Sequence, residues 1–499
     1  MLELDGESLT LEQVRGVALD FEPVALDPEA RRRMEASRAA VEQLLLGDAV
    51  VYGVNTGVGQ LADVRIEAGD LPRLQLNLVR SHAAGVGPPL EDAVVRAMML
   101  IRANVLAKGL SGIRPQVAEL LCGMLNRAVH PVTPSRGSVG ASGDLAPLAH
   151  MVLVLVGEGE ARAGGDRLPG REALARAGLA PIELEAKEGI SLLNGTQAML
   201  AVGCLALLEA ETLVETADVV CALTLDALRG TPAAFDPRLH RARPHPGQAI
   251  SARNLASLLE GSEIRASHLE CGRVQDAYSL RCAPQVHGAV RDALAQARRA
   301  FSIELNSATD NPLVFGAEVL SGGNFHGQPL AIPMDTAAVA LAALAGISER
   351  RAERLVNPQL NEGLPAFLAG QAGLESGLMM LQVTAAALAA QTRLLATPAS
   401  VHSIPTSGNK EDFVSMGMEA ALKFAQAVDA TRQVLAIEAI CAAQGLDYRL
   451  PLKTGPRAQE GYQAVRSAAP SLRQDRPLSG DIAAVTELIR RGGLRLTSR

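Results

Sequence analysis

Residues 137–148 read Gly137-Ser-Val-Gly-Ala141-Ser142-Gly143-Asp144-Leu-Ala-Pro-Leu148, and this is the most informative stretch of the chain. In an Ala-Ser-Gly sequence the Gly143 nitrogen can attack the Ala141 carbonyl carbon, because glycine has no Cβ to crowd a sharply bent backbone. Loss of two water molecules then leaves a methylidene-imidazolone ring, with the Ser142 β-carbon as an electrophilic alkene. No side chain is such an electrophile, so the ring would suit a protein that attacks amines. The alternative is an ordinary turn before a helix that starts near Asp144.

The composition indicates a helical globular protein. The chain has 499 residues, of which 48% are hydrophobic and 20% charged, so it can bury a large core. Aromatic residues make up only 2%, and there is no Trp. The core must therefore consist of Ala, Leu, Val and Ile, which favours helices. The net charge of −7 offers no basic surface for nucleic acid or an anionic membrane, so neither is expected as a partner.

The N-terminal sequence and the cysteines predict a cytoplasmic protein. The first six residues have neither the basic region nor the apolar region of a secretory signal. The longest apolar run, from Ala337 to Ile347, is about 11 residues, too short to span a membrane. The six cysteines lack Cys-x-x-Cys spacing and the nine histidines lack His-Glu-x-x-His. We therefore expect reduced thiols and no metal site.

Apolar residues recur at helical spacing along most of the chain, which predicts a mainly α fold: a bundle of long helices with a smaller, loop-rich N-terminal part. A first segment, 1–193, would carry the Tyr52 loop and the Ala-Ser-Gly motif, and a second, 194–499, the long helices; one continuous domain is the alternative. Glycine and proline predict a hairpin or irregular excursion within 160–190 and a looser C-terminus at 451–483. The predicted helices cover 28–47, 90–107, 115–128, 145–157, 194–228, 284–306, 334–356, 372–395 and 414–443.

Six loops between these helices carry polar or aromatic side chains suited to chemistry. Each has a structural explanation when taken alone: Asn194 as a helix N-cap, for example, or the acidic residues near Glu411 as partners of a helix N-terminus. Two of the four tyrosines lie in such loops, which favours a functional role. The Tyr52 loop lacks the patterns of phosphate-binding loops. The loops are Tyr52-Gly-Val-Asn-Thr-Gly57, Leu193-Asn-Gly-Thr-Gln197, Gln275-Asp-Ala-Tyr-Ser-Leu-Arg281, Thr309-Asp-Asn-Pro312, Gly322-Gly-Asn-Phe-His326 and Ser407-Gly-Asn-Lys-Glu-Asp412.

Taken with the Ala-Ser-Gly motif, these loops resemble the histidine and aromatic amino-acid ammonia-lyase family. The resemblance runs in the same order from Tyr52 to about Gln444, which is nearly the whole chain. Ser81-His82-Ala-Ala-Gly-Val-Gly is similar to the branch that acts on histidine. Glu411 stands where lyases for phenylalanine and tyrosine usually carry Gln. The family implies a homotetramer with active sites shared between subunits.

The resemblance implies a reaction and a set of residues. The chain would eliminate ammonia from L-histidine to give trans-urocanate, the first step of histidine degradation. It would use a self-derived 4-methylidene-imidazol-5-one and no external cofactor. Tyr52 would be the base, with Glu411 as the alternative, and Arg281 would bind the substrate carboxylate. The implied catalytic residues are Tyr52, Ala141, Ser142, Gly143, Tyr278 and Glu411, and the implied substrate-binding residues are His82, Asn194, Gln275, Arg281, Asn311 and Phe325.

The chain departs from this family's histidine branch in two places. Relatives commonly read Gln-Glu-Asp-His where this chain has Lys410-Glu411-Asp412-Phe413, and Phe where it has Val58. The first change alters polarity beside the proposed imidazole partner. A tyrosine or phenylalanine ammonia-lyase or 2,3-aminomutase with the same ring therefore stays open as the alternative. A serine hydrolase is disfavoured because Asp144 breaks the Gly-x-Ser-x-Gly pattern. A helical scaffold without activity predicts an unmodified Ser142, and the Gly-Ser-Ser-x-Met-Pro signature of fumarase-like lyases is missing from the sequence.

Overall fold

The computed structural model describes residues 1–47, 50–57, 64–270, 272 and 274–496, so Val58 lies outside the described residues. The predicted mainly α fold is confirmed. The helices are α1 Leu11–Leu19, α2 Pro28–Leu45, α3 Leu71–His82, α4 Asp92–Ala107, α5 Pro115–Asn126, α6 Leu145–Leu155, α7 Gly170–Arg176, α8 Glu188–Leu193, α9 Gln197–Ala227, α10 Pro237–Ala242, α11 Pro246–Leu259, α12 Glu263–Ala266, α13 Tyr278–Arg281, α14 Ala283–Glu304, α15 Gln328–Val356, α16 Met379–Leu395, α17 Gly417–Asp447, α18 Pro456–Ala468 and α19 Ser479–Arg490.

Short strands brace the loops between these helices. β1 and β2 are parallel, with Leu2 opposite Val24, whereas β3–β5, β4–β6–β7 and β8–β9 are antiparallel. None is long enough to form a layer of its own, so the strands position loops and contribute little core. The strands are β1 Leu2–Leu4, β2 Val24–Leu26, β3 Val86–Pro89, β4 His130–Pro131, β5 Pro134–Arg136, β6 Glu160–Ala163, β7 Asp166–Pro169, β8 Leu313–Phe315 and β9 Glu318–Leu320.

Local sequence signals explain several helix starts. Thr10 and Gln13 form a capping box at α1, in which the Gln13 amide donates to Thr10 Oγ1 at 3.2 Å. Asp27 accepts hydrogen bonds from the Glu29 and Ala30 amides at the start of α2, whose first residue is proline.

The described chain divides into two compact units whose segments alternate along the sequence. The sequence predicts a different kind of division, into two contiguous segments that meet after residue 193, and that division stays a prediction. The first unit comprises Met1–Leu205, Ala297–Asp335 and Pro398–Leu422; the second comprises Ala206–Gln296, Thr336–Thr397 and Lys423–Arg499.

Helix α4 lies at the centre of the first unit. Every residue from Val95 to Ala107 is buried, and the helix packs against α1, α2 and α5. A helix that is buried on all sides must be surrounded by other elements, and its polar side chains, Arg96, Arg102 and Asn104, need partners there. The strands all belong to this unit, as do α6 and α8, which pack on α3.

A network of buried ions lies inside the second unit. Glu438 accepts hydrogen bonds from Arg351 Nε at 2.5 Å and Nη2 at 2.8 Å, and from the hydroxyls of Thr224 and Ser348. His287 donates through Nδ1 to Asp218 at 2.8 Å and accepts from Arg351 at 3.3 Å. Both oxygens of Glu438 are thus fully used, which is the condition under which buried charges are tolerated.

Most predicted helices are confirmed, with boundary errors that have local causes. The hairpin expected within 160–190 is β6–β7. The helix expected at 334–356 begins at Gln328, because α15 continues through Pro333 instead of starting after it. The helix expected from 372 begins only at Met379, since Gly373 and Gly377 adopt left-handed turns.

The prediction of a looser C-terminus at 451–483 is wrong for most of that range, because two helices lie in it. Helix α18 begins there with Pro456 at its first position, where proline is pre-organised for a helix, and α19 starts at Ser479. Pro456 therefore marks a helix start, whereas Pro451, Pro470 and Pro477 lie outside the helices.

Two helices, α9 and α15, are long and apolar enough to cross a membrane by length and composition alone. However, 72% and 50% of their most apolar windows are buried inside the protein, as in core helices. Among the described cysteines, Cys122, Cys204, Cys221, Cys282 and Cys441 are free. No cluster of three His, Cys, Asp or Glu side chains that could hold a metal occurs within the described ranges.

We expect Glu438→Ala to lower the free energy of unfolding by about 3–5 kcal/mol, because it leaves Arg351 buried without its partner. Glu487→Ala is the matched control: it removes a carboxylate whose pair with Arg491 is solvent-exposed, and we expect a loss of about 0–1 kcal/mol. Urea unfolding of the two variants and the parent chain measures the difference. Equal effects of both substitutions would contradict a structural role for the buried network.

Candidate active site

The Ala141-Ser142-Gly143 turn lies directly before α6 and is pressed against Gly195. Gly143 has φ +74°, and a Cβ built on it would stand 2.1 Å from the Gly195 carbonyl oxygen. The two glycines form a parallel bridge, and the Asp144 amide donates to that same oxygen at 2.7 Å. No residue with a side chain fits at position 143.

Asp144 anchors the end of this turn. Its side chain is fully buried and accepts hydrogen bonds from Ser138 Oγ and from the Met199 amide, both at 2.8 Å. Met199 lies in the first turn of α9, where free amides and the helix dipole favour a carboxylate. Burial nevertheless raises the pKa of Asp144 to about 6.

Ser142 is held from two sides by residues that the sequence singled out. Its hydroxyl donates to Glu411 Oε1 at 2.6 Å, and its carbonyl oxygen accepts from Asn194 Nδ2 at 2.7 Å. Thr406 Oγ1 donates to the other Glu411 oxygen at 2.6 Å. Asn194 is buried, and its Oδ1 has no hydrogen-bond partner among the described residues. An unused acceptor of this kind is available to a ligand donor.

Two further loops close on the residues before the turn. The Gly140 carbonyl oxygen accepts from the Gly327 amide at 3.0 Å and from Ser415 Oγ at 2.9 Å. Gly327 belongs to the loop that carries Phe325, which is half-buried. In that loop the His326 ring stacks on Phe413, with 6.1 Å between ring centroids. The predicted Phe325 and Glu411 loops therefore both contact the Ala-Ser-Gly stretch.

The Tyr52 and Asn311 loops meet each other. Gly53 has φ +70°, and a Cβ built on it would stand 3.0 Å from Pro312 Cδ. Tyr52 is half-buried at the entrance to its loop. The side chain of Asn311 closes the end of the β8–β9 hairpin: it donates to Ser321 Oγ at 3.1 Å and accepts from the Gly322 amide at 2.6 Å. Part of the hydrogen-bonding capacity of Asn311, which the resemblance assigns to the substrate, is thus already used within the hairpin.

His82 ends helix α3 with one ring nitrogen fixed. Nδ1 lies 2.8 Å from the Leu78 carbonyl oxygen, and since a carbonyl only accepts, Nδ1 carries a proton. In the neutral ring Nε2 is then an acceptor. The half-buried His82 side chain therefore offers a lone pair to a donor.

The remaining predicted residues belong to the second unit. Tyr278 and Arg281 lie on the single turn of α13, and the Arg281 guanidinium carbon stands 4.7 Å from the centre of the Tyr278 ring. Tyr278 is 70% exposed, and Gln275 is exposed as well. Arg281 Nε is buried without a hydrogen-bond partner among the described residues. The side chains of Tyr278 and Gln275 are thus accessible to a ligand on this chain.

The sequence interpretation missed a buried polar layer behind Asn194. Arg102 Nη1 donates to the Ser191 carbonyl at 3.0 Å and Nη2 to the Asn194 carbonyl at 2.8 Å. Gln197 accepts from Arg102 and donates to Thr309 Oγ1 at 2.7 Å. A signal was present, because Arg102 interrupts the apolar run from Ala97 to Ala107. A charge in such a run is buried only when it has partners.

Comparisons with known proteins show what this chain is similar to. The sequence matches the family model described as aromatic amino acid lyase over residues 9–467. A histidine ammonia-lyase from Koribacter versatilis (strain Ellin345) is 59% identical over 512 residues, covering 100% of this chain and 99% of that protein.

Solved structures of similar proteins share the whole fold. Histidine ammonia-lyase from Trypanosoma cruzi is 40% identical with a TM-score of 0.92, covering 99% of this chain and 94% of that one. Tyrosine aminomutase from Streptomyces globisporus is 39% identical with a TM-score of 0.94, covering 99% and 97%.

Asp144 makes a pH-dependent contribution to stability whose sign follows from its raised pKa. Between its unfolded value of 3.8 and about 6, the folded chain keeps a proton that the unfolded chain has lost. The stabilisation is therefore complete below about pH 4 and is lost as the pH rises through 6, a change of about 1–3 kcal/mol. We expect Asp144→Asn to remove this change, as measured by urea unfolding from pH 4 to 7.

Asp236→Asn is the control for this measurement. A hydrogen bond from Arg238 lowers the pKa of Asp236 to about 2, so that group does not titrate between pH 4 and 7. Its stability curve should run parallel to that of the parent chain. If the stability curve of Asp144→Asn is also parallel to that of the parent chain, Asp144 is not the source of the pH-dependent stabilisation.

Proposed function

The chain belongs to the aromatic amino acid lyase family, and from that premise we propose that it is a carbon–nitrogen lyase that removes ammonia from L-histidine and releases trans-urocanate, the first step of histidine degradation. The observation that carries the proposal is the triple constraint on one short turn. Ser142 is bound through its hydroxyl by Glu411 and through its carbonyl by Asn194, while Gly143 lies against Gly195 with no room for a side chain.

We assign Ala141, Ser142 and Gly143 to a self-derived methylidene-imidazolone. The fit rests on the cradle at Gly143, where a Cβ would overlap the Gly195 backbone. It also rests on the Ser142 carbonyl oxygen, which would remain as the ring oxygen and which Asn194 already binds. When present, the ring supplies an electrophilic carbon for the substrate amine, which no side chain provides.

The acceptors in the first unit suit an imidazole. Glu411 is a carboxylate that takes two hydrogen bonds, and His82 presents Nε2 as an acceptor because Nδ1 is committed to Leu78. A protonated substrate imidazole has two N–H groups to donate to such partners, whereas a phenol has one donor and a phenyl ring has none. We place His82 and Glu411 on the substrate side chain, with Phe325 alongside.

The second group of residues would bind the amino-acid end of the substrate and move its proton. Arg281 has an unpartnered buried Nε and a planar fork suited to a carboxylate. Gln275 and Asn311 would support that carboxylate, and Tyr278 the leaving amine. Tyr52 would take the β-proton, with Glu411 as the alternative base.

The exposure of Tyr278 supports an assembled site. A phenol that is 70% exposed on one chain is poorly positioned for chemistry until another surface covers it. We propose a homotetramer in which neighbouring subunits complete each active site, located in the cytoplasm.

A second candidate is a tyrosine or phenylalanine ammonia-lyase or 2,3-aminomutase with the same ring. The observation that favours it is Phe413, which is 58% exposed beside Glu411 and stacks on His326. Relatives that act on histidine commonly carry His where this chain has Phe413. The apolar ring of Phe413, together with Lys410, would suit the side chain of a tyrosine or phenylalanine substrate better than that His would.

A product assay with purified protein separates the two candidates. We expect the chain to release a conjugated acid, measured by near-ultraviolet absorbance, from L-histidine and not from L-tyrosine or L-phenylalanine. Ser142→Ala should fold and yet lose nearly all activity, and its intact mass should lack the loss of two water molecules that the parent chain shows. Cinnamate or coumarate as the product would favour the second candidate, and near-parental rates in Ser142→Ala would overturn the mechanism.

Glu411→Gln tests the imidazole partner. It keeps the size of the side chain but removes the charge and one of the two acceptor oxygens. We expect kcat/KM for L-histidine to fall by about 10²–10⁴-fold, the range for loss of a positioned acid or base. Asp412→Asn is the neighbouring control, because Asp412 is exposed and lies outside the proposed site, and its kcat/KM should stay close to that of the parent chain. Similar losses in both variants would argue against a specific role for Glu411.

A further inference from the structure

Arg102 is a fully buried cation that the proposed reaction does not use. It lies on α4 with a side chain that is 0% exposed, and none of its atoms is assigned to the substrate. Burying a guanidinium without adequate partners would cost several kcal/mol, so the groups that bind Arg102 determine what it does.

The guanidinium of Arg102 holds the end of helix α8. Nη1 donates to the Ser191 carbonyl at 3.0 Å and Nη2 to the Asn194 carbonyl at 2.8 Å. The last carbonyls of a helix have no partners within it and carry partial negative charge, so a cation satisfies both requirements. Because the two donors sit at fixed separation on a planar fork, they fix the direction in which the chain leaves α8.

The same guanidinium is linked to the Ala-Ser-Gly turn through two short routes. Asn194, whose carbonyl it binds, donates from Nδ2 to the Ser142 carbonyl at 2.7 Å. Gly195, the next residue, lies so close that a Cβ built on it would stand 2.8 Å from Arg102 Nη2. Gly195 is the residue against which Gly143 is pressed.

The side chain of Gln197 also holds Arg102 in place. Gln197 accepts from Nη2 and donates to Thr309 Oγ1 at 2.7 Å, which ties the opposite side of the loop to the segment before Asn311. The carboxylates that face Arg102 are Asp310 and Asp144. Burial lowers the pKa of Arg102 to about 10, so it stays a cation at neutral pH.

We propose that Arg102 is a positioning residue for ring closure: it holds Asn194 and Gly195 against the Ala-Ser-Gly turn so that the Gly143 nitrogen reaches the Ala141 carbonyl carbon. The inference rests on the proposed function. In the closure a bond forms between that nitrogen and that carbon, and the Ala141 oxygen leaves as water with the protons of the Gly143 and Ser142 amides. Ser142 then loses its α-hydrogen and its hydroxyl as a second water. No oxidant or reductant is required.

The variant that tests this is Arg102→Lys, which keeps the charge but replaces the fork with a single nitrogen. Lysine cannot bind the Ser191 and Asn194 carbonyls and Gln197 with the same geometry. Small misplacement of reacting groups costs about 10²-fold in rate. We expect ring closure to slow by about that factor, measured as the fraction of chains whose intact mass shows the loss of two waters at successive times after synthesis.

Arg96→Lys is the matched control. Arg96 lies on the same helix, is equally buried, and donates to the Val17 and Leu125 carbonyls, neither of which belongs to the site. We expect it to lower the thermal midpoint as Arg102→Lys does, while its ring closure stays as in the parent chain. Equal slowing in both variants, or parental ring closure in Arg102→Lys, would overturn the inference.

Thr309→Val decides the matter if Arg102→Lys does not fold. It removes only the hydroxyl that Gln197 donates to, and we expect a smaller slowing, of several-fold; unchanged closure in that folded variant would refute the role of the Arg102 contacts. A parent chain whose mass shows no loss of water would instead overturn the proposed function and the inference with it. A parent chain that closes fully beside variants that also close fully would overturn the inference alone.

Discussion

The approach of Gly143 to Gly195 is the constraint on which the site depends. A backbone contact this close leaves no space for a Cβ on Gly143, and it is maintained by a hydrogen bond from the Asp144 amide to the Gly195 carbonyl. The contact joins the start of α6 to the loop between α8 and α9. Two chain segments that are about 50 residues apart are thereby fixed at backbone level, before any side chain contributes.

In the first unit the chain buries charged side chains at positions where apolar side chains would be expected. Lys187 is fully buried in a left-handed conformation, and its Nζ donates to the Ser111 carbonyl and to Ser191 Oγ, both at 2.7 Å. Asp310 lies 3.8 Å from that nitrogen, and burial lowers the pKa of Lys187 to about 8. Buried pairs contribute little net stability compared with a hydrophobic core, but they penalise any arrangement that leaves one partner alone. Such a layer therefore favours a single arrangement of the loops that it contacts.

How far the sequence predicts this structure depends on the kind of interaction involved. Helical periodicity identified α4, α9 and α17, because apolar faces depend on local spacing. It misplaced the start of α16 and missed α18, where proline and glycine serve as helix boundaries instead of loop markers. At the site, the motifs identified Ser142 and its partner residues. They could not reveal the contacts of Arg102, since two of its partners are backbone carbonyl groups, which every residue has, and only the fold brings these and the Gln197 side chain together.

The predicted site residues differ in how far the structure buries them. Asn194 is buried and donates a hydrogen bond to the carbonyl of half-buried Ser142, which suits the proposed internal condensation because its atoms must be held in place. Tyr278 and Gln275 are exposed on the single chain, and in the proposed tetramer a neighbouring subunit would cover them. Packing that fixes an atom also excludes a ligand from it, so these two sets of residues meet different requirements. In the proposed enzyme, buried Arg102 holds the turn through Asn194, while Tyr278 and Gln275 stay exposed until the subunits assemble.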